Sequence, residues 1–120
     1  MLVLPSDPFT VLAGGDEGVY LWQEGYSTQS IPQNEAVKKA WNMVVVTKPE
    51  PYVLAVAFEQ GQIWRMSLEG KDPFQLVDLG STGLSLSIDR EDPLRLWFGA
   101  MNGFYEGELR TKGFDLIGSK

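Results

Sequence analysis

Neither cysteine nor histidine occurs among the 120 residues. Disulfides, thiolate chemistry, histidine general bases and Cys or His metal ligands are excluded by composition, and most familiar catalytic kits go with them. Basic side chains are scarce as well: 10 Lys and Arg face 16 Asp and Glu, for a net charge of −6. A polyanion is bound by clustered Lys and Arg, so nucleic acid is a poor partner for this chain. No apolar run approaches the roughly 18 to 20 residues that cross a bilayer, so no membrane partner is expected. Nor is there the charged n-region, long h-region or cleavage site of a secretory signal, and the expected location is the cytoplasm. Turn signals recur often along most of the chain, which leaves little room for helices of about 10 to 12 residues. A hydrophobic share of 43% nevertheless fits a folded globular chain, and the length suits one domain.

What the sequence does contain is a repeat. The acidic-Pro pairs Asp7-Pro8, Glu50-Pro51 and Asp92-Pro93 lie 43 and then 42 residues apart, and each Pro is followed ten positions later by Gly18, Gly61 or Gly103. Two scarce residue types thus keep one offset three times. Three positions past the prolines stand Val11, Leu54 and Leu96, and three further on the small residues Gly14, Ala57 and Gly99. Tyr20, Ile63 and Tyr105 follow two past the glycines.

Each unit reads as four short strands, here called A to D. In the second unit, Val-rich Trp41 to Thr47 ends at Lys48-Pro49-Glu50-Pro51, whose prolines cannot donate to a ladder. Tyr52 to Phe58 and Gln62 to Ser67 form a hairpin around Glu59-Gln60-Gly61, and Phe74 to Leu79 is the fourth strand. The third unit repeats the order as Leu84 to Ile88, Leu94 to Ala100, Phe104 to Leu109 and Phe114 to Ile117. The first reads Leu2 to Leu4, Thr10 to Gly14, Val19 to Gln23 and Tyr26 to Ile31. Gln33 to Trp41 is the one window of helix-forming composition, and it predicts a loop with at most one turn capped by Asn34.

Tandem four-stranded units of about 42 residues match the blade of a β-propeller, so the expected fold is all-β, with three four-stranded antiparallel blades in one domain. The blades would span about residues 1–39, 40–82 and 83–120. The segment SIDREDPLRLWFGAMNGFYEGEL, with poorer copies VLPSDPFTVLAGGDEGVYLWQ and VTKPEPYVLAVAFEQGQIWRM, resembles the blade of BNR or Asp-box propellers, a group that includes sialidases. Blades of that family carry a Ser-x-Asp-x-Gly-x-Thr-Trp box at the C–D turn; here those turns read Gln23 to Ser27, Ser67 to Lys71 and Leu109 to Gly113, and none is a complete box. Leu12 to Trp22 equally resembles a WD40 blade, without its Gly-His and Trp-Asp signatures.

Propellers close with about four to eight blades, so three must be completed. Open ends would expose apolar blade faces and unpaired strand edges. Two chains joined head to tail, blade 3 to blade 1, would make a six-bladed homodimer; a longer propeller containing these three blades is the competing reading. The resemblance also implies a sialidase-like glycosidase or carbohydrate-binding alternative. That chemistry needs converging Arg, yet Arg65, Arg90, Arg95 and Arg110 fall at different places in the repeat.

No catalytic residues, metal ligands or cofactor are expected. Asp89, Glu91, Asp92 and Asp16-Glu17 lack the spacing of a calcium loop and read as turn residues. Gly14-Gly15-Asp16-Glu17-Gly18 lacks the Lys-Ser/Thr of a phosphate loop. Aromatic residues are the better lead, because Trp and Tyr dominate binding hot spots. Trp64 and Trp97 fall inside strands and are expected in the core, whereas Trp22, Tyr26 and Trp41 flank the long first connection. With Asp16, Glu17, Glu59, Gln60, Met101 and Asn102 at the rim of a propeller channel, these are the candidate binding residues, and the expected function is a non-catalytic scaffold for a protein partner.

Overall fold

The computed structural model describes residues 1–4, 9–25, 31–47, 50–89, 91–92, 94–110 and 113–119, with Leu84, Arg110 and 113–119 described by their backbone alone. All regular structure among these residues is antiparallel β. The first sheet holds β1 (Leu2–Leu4), β2 (Thr10–Gly15) and β3 (Gly18–Gln23). The second holds β4 (Asn42–Val46), β5 (Tyr52–Ala57), β6 (Gln62–Met66) and β7 (Phe74–Asp78), and the third β8 (Gly83–Ile88), β9 (Arg95–Ala100), β10 (Gly103–Arg110) and β11 (Gly113–Ser119). In each sheet neighbours in sequence are neighbours in space, so every sheet is a meander. Short runs of Val, Leu and aromatic residues cut by Gly-tipped turns leave local pairing as the simplest way to satisfy the backbone.

Two apolar layers hold the three sheets together. Leu4, Leu12, Val19 and Leu21 of the first sheet meet Met43, Val53, Ala55 and Met66 of the second. On its other face the second sheet puts Val46, Leu54, Val56 and Ile63 against Leu86, Leu96, Phe98 and Leu109 of the third. The middle sheet is thus covered on both sides, which is why every residue of β5 is buried and its sequence, Tyr-Val-Leu-Ala-Val-Ala, does not alternate. Arg65, also in this sheet, lies over the Tyr52 ring at 4.0 Å, and burial raises the Tyr52 phenol above its usual range.

The strands expected from sequence are found within one or two residues, with two differences. The first unit's fourth strand, Tyr26 to Ile31, falls on residues 26–30, outside the described residues, and the first sheet has three strands among those described. The window from Gln33 to Trp41 is a loop, as expected, with no helical turn after Asn34. Its side chain does accept from the Val37 amide (3.0 Å) as a cap would, but Gln33 and Lys39 donate instead to Val19 and Gly15 of the first sheet (2.7 and 2.8 Å). The segment is therefore a strap across β2 and β3.

The second difference concerns the repeat itself. Hairpin tips of the first and third sheets are the two residues Asp16-Glu17 and Met101-Asn102, whereas that of the second is Phe58 to Gly61. The last pairs before the tips are Gly15↔Gly18, Ala57↔Gln62 and Ala100↔Gly103. Ala57 is consequently displaced by one place from Gly14 and Gly99, and Trp64, not Ile63, is the counterpart of Tyr20 and Tyr105. A one-residue displacement in a strand reverses the face, so Ile63 points toward the third sheet while Trp64 points toward the first.

Candidate functional site

Three hairpin tips and the two connections between sheets form one row. Lys39 stands at the first joint: its amide donates to Gly15 of the first tip and its carbonyl accepts from Phe58 of the second (3.1 Å). Gly83 and Thr82 repeat this at the second joint. The Gly83 amide donates to Phe58 (2.8 Å), and the Thr82 carbonyl accepts from Met101 of the third tip (2.8 Å). Ser81 adds two bonds, donating from its amide to the Gln60 carbonyl (3.1 Å) and accepting at its hydroxyl from the Asn102 amide (3.1 Å).

Glycine makes this close crossing possible. At Gly18 (φ 143°) a Cβ would run into the Asn34 carbonyl, and at Gly61 (φ 64°) into the Ser81 carbonyl. The two landmark glycines thus do the same work at successive joints, letting a connection lie directly on a tip. Lys39 itself adopts φ 55°, which a non-glycine residue rarely does.

The side chains along the row are mostly exposed and include three acids, Asp16, Glu17 and Glu59. The Lys39 ammonium pairs with the Glu59 carboxylate, and that hydrogen bond, then the charge attraction, raises the Lys39 pKa and lowers that of Glu59. Asp16 adds to the field at Lys39. Beside this pair Trp41 leans on Phe58, ring centroids 4.6 Å apart, and is 51% exposed. Lys39, Trp41, Asn42, Val56, Phe58 and Gly83 line a cavity of ≈ 100 Å³. Drug-sized ligands occupy about 300–1,000 Å³, so this space suits a single side chain rather than a whole small molecule.

Of the residues singled out from sequence, Asp16, Glu17, Trp41, Glu59, Gln60, Met101 and Asn102 all lie on this row. Trp22 does not: it sits on the outer face of the first sheet opposite Val11, 38% exposed. Tyr26 lies outside the described residues. Sequence reasoning missed Lys39, Phe58, Ser81 and Thr82. Lys39 carries no pattern of its own, and only the strap's path places it between two tips.

Other expectations need correction. Trp64 is half-buried and packs on the layer between the first two sheets, but Trp97 is on the outer face of the third sheet, stacked on Phe104 with centroids 5.6 Å apart. The outer faces of the end sheets are also unlike each other: the first carries Val3, Val11, Ala13, Tyr20 and Trp22, whereas the third mixes its aromatic pair with Ser85, Ser87 and an Arg95–Glu106 ion pair (2.6 Å).

The carboxylates expected in turns are used there. Asp89 accepts from the amides of Glu91 (2.8 Å) and Asp92 (3.2 Å) and from the Trp97 indole (3.3 Å). The Glu91 amide first, then the indole and the Asp92 amide, hold its pKa below the usual carboxylate range. No group of three or more acidic side chains placed to hold a metal occurs among the described residues. Arg65 over Tyr52 and Arg95 on Glu106 belong to different sheets and do not converge. No helix among the described residues is long and apolar enough to cross a membrane. Comparison with protein families, curated proteins and solved structures finds no match for the chain.

Proposed function

We propose that the chain is a non-catalytic scaffold of the propeller type, its three sheets acting as blades and its row of hairpin tips as the docking platform for a protein partner. The observation that carries this reading is the row itself. Backbone hydrogen bonds through Lys39 and through Thr82-Gly83 hold three tips in fixed relation, and they present Asp16, Glu17, Glu59, Gln60, Met101 and Asn102 beside the exposed Trp41 ring. A rigid, solvent-facing set of acids around an aromatic anchor has the composition of a binding rim with one hot spot. The ≈ 100 Å³ cavity beside Trp41 would take one apolar side chain of the partner. BNR-like blade character and closure of a six-bladed ring by two chains belong to the same reading, supported by the meander order of each sheet and by joints that recur at the same tip positions.

Affinity capture from the source cell, compared between wild type, Trp41→Ala and Glu59→Lys, tests the platform. A partner retained by wild type and by Gln75→Ala, on the exposed β7 of the second sheet, and lost by both tip variants is the expected result. Binding that survives both tip variants would overturn it. Turnover of a fluorogenic glycoside above the buffer rate would instead restore the glycosidase reading.

A further inference from the structure

We infer that the chain pairs head to tail with a second copy of itself, the outer face of the first sheet in one copy packing on the Trp97–Phe104 face of the third sheet in the other. The inference rests on the scaffold reading above and names the surfaces that would complete it.

The two internal joints supply the template. With the sheets aligned on the last pair before each tip, Val19, Ile63 and Phe104 occupy one place, and Leu12, Leu54 and Trp97 another. Val19, Leu12, Ile63 and Leu54 are fully buried, each under the sheet that follows. At the third sheet the same two places hold an indole stacked on a phenyl ring, with Phe104 41% exposed. The opposite faces correspond in the same way. Ala55 and Trp64 of the second sheet, and Phe98 and Tyr105 of the third, match Ala13 and Tyr20 of the first. Val53 and Met66, which pack on the first sheet, match Val11 and Trp22.

Each joint therefore mates one kind of face with the other, and a single chain leaves one of each kind uncovered. Among the described residues the uncovered first-sheet face has no charged side chain, and Val3 and Trp22 on it are 45% and 38% exposed. The uncovered third-sheet face offers the aromatic pair, with Ser87 and Glu106 beside Trp97 on the neighbouring strands, Ser85 beside Gly99, and Arg95, paired with Glu106, opposite Glu108. Because the two surfaces differ, the contact is heterologous, and such contacts give a closed ring when the rotation allows and an open fibre when it does not. Three sheets per chain close at six with two copies, within the range of about four to eight that rings adopt.

Sedimentation velocity on the full chain at micromolar concentration tests this with three samples: Trp22→Glu, Phe104→Glu and their equimolar mixture, beside wild type. Wild type is expected at twice the 13.4 kDa chain mass. Each variant is expected to dissociate at least ~30-fold more readily, since loss of one hot spot alone gives that factor and the ring loses it at both of its contacts. Mixing should restore a dimer, since one contact then joins two undamaged faces, and that recovery also shows both variants to be folded. Wild type at 13.4 kDa throughout would overturn the inference, as would a dimer indifferent to both variants. One variant remaining dimeric while the other dissociates would mean that like faces pair, and that outcome, failure of the mixture to recover, or open fibres would each overturn the two-chain ring of unlike faces. A monomer that still loses its partner in Trp41→Ala would overturn this interface and leave the platform intact.

Discussion

Replacing Asn34 by Ala is the sharpest test of what fixes the strap. Asn34 is 8% exposed, donates from Nδ2 to the Gly70 carbonyl (2.6 Å), lies 3.4 Å from the Met66 sulfur, and accepts at Oδ1 from Val37. One side chain thus ties the strap to the C–D turn of the second sheet, where Gly70 in turn packs on Val19 and Leu12. Truncation leaves a buried carbonyl at Gly70 and a buried amide at Val37 without partners. Each such group costs about 1–3 kcal/mol, and partial relaxation at one of them brings the sum to about 2–4 kcal/mol. Against a total stability of about 5–15 kcal/mol this is a large fraction, equivalent to a fall in Tm of roughly 6–20 °C for a chain of this size. Urea titration followed by tryptophan fluorescence should show a lower midpoint at unchanged slope. Amide exchange should accelerate at Val37 and Lys39 before it does in β5. A variant within about 0.5 kcal/mol of wild type, inside the range of ordinary surface changes, would refute the argument that buried polar bonds anchor the strap.

Glycine at the tips gives a paired prediction. Gly18→Ala adds backbone strain of about 1–3 kcal/mol to a clash with the Asn34 carbonyl, whereas Gly25→Ala (φ 86°, open space around it) carries only about 1–2 kcal/mol, so chemical denaturation should rank them in that order. Leu12→Ala, at 0% exposure between the first two sheets, should cost about 2–5 kcal/mol in the same assay. Asp89 has a folded pKa below its unfolded value of about 3.9, so its contribution is present above that pH and is lost as pH falls through the lower folded value. Asp89→Asn should flatten this part of the acid limb in a pH series of melts, and an unchanged limb would show that the carboxylate is not what closes the Asp89-to-Arg95 loop. Glu59→Gln should leave the melting temperature in place, since the Lys39–Glu59 pair is solvent-screened, while weakening partner capture.

Strand positions were legible because each depends on a local pattern. The Val run of β4, the Gly after each tip and the prolines between A and B all act within a few residues, and the observed strands follow them closely. Face assignment was not legible, because it depends on the length of the tip. With Pro51 as landmark, Ala57 aligns with Gly14, and only the four-residue tip Phe58 to Gly61 shows that the second sheet is offset by one. One residue is enough to send Ile63 and Trp64 to opposite sides of a buried sheet.

The same physics explains why part of the candidate site was foreseen and its keystone was not. Asp16, Glu17, Glu59, Gln60, Met101 and Asn102 are expected at a rim by analogy with propellers, and they lie exposed because each is at a hairpin tip. Their assembly into one row depends on non-local bonds from Lys39, Ser81, Thr82 and Gly83, contributed by connections whose sequences share little. What the connections share is a position rather than a composition: each must pass over a glycine that leaves room for a carbonyl, Asn34 over Gly18 and Ser81 over Gly61. Gly103, at φ 155°, stands at the corresponding place on the third tip. Gly61→Ala, set against Gly18→Ala, therefore separates the cost of the backbone angle from that of the overlying carbonyl, because φ is 64° at one and 143° at the other while a Cβ would meet a carbonyl oxygen at both. If backbone angle alone mattered, Gly61→Ala would be much the milder of the two, since the left-handed region near 60° costs a side chain only about 1–2 kcal/mol. If the overlying carbonyl dominates, the two should cost nearly alike in chemical denaturation.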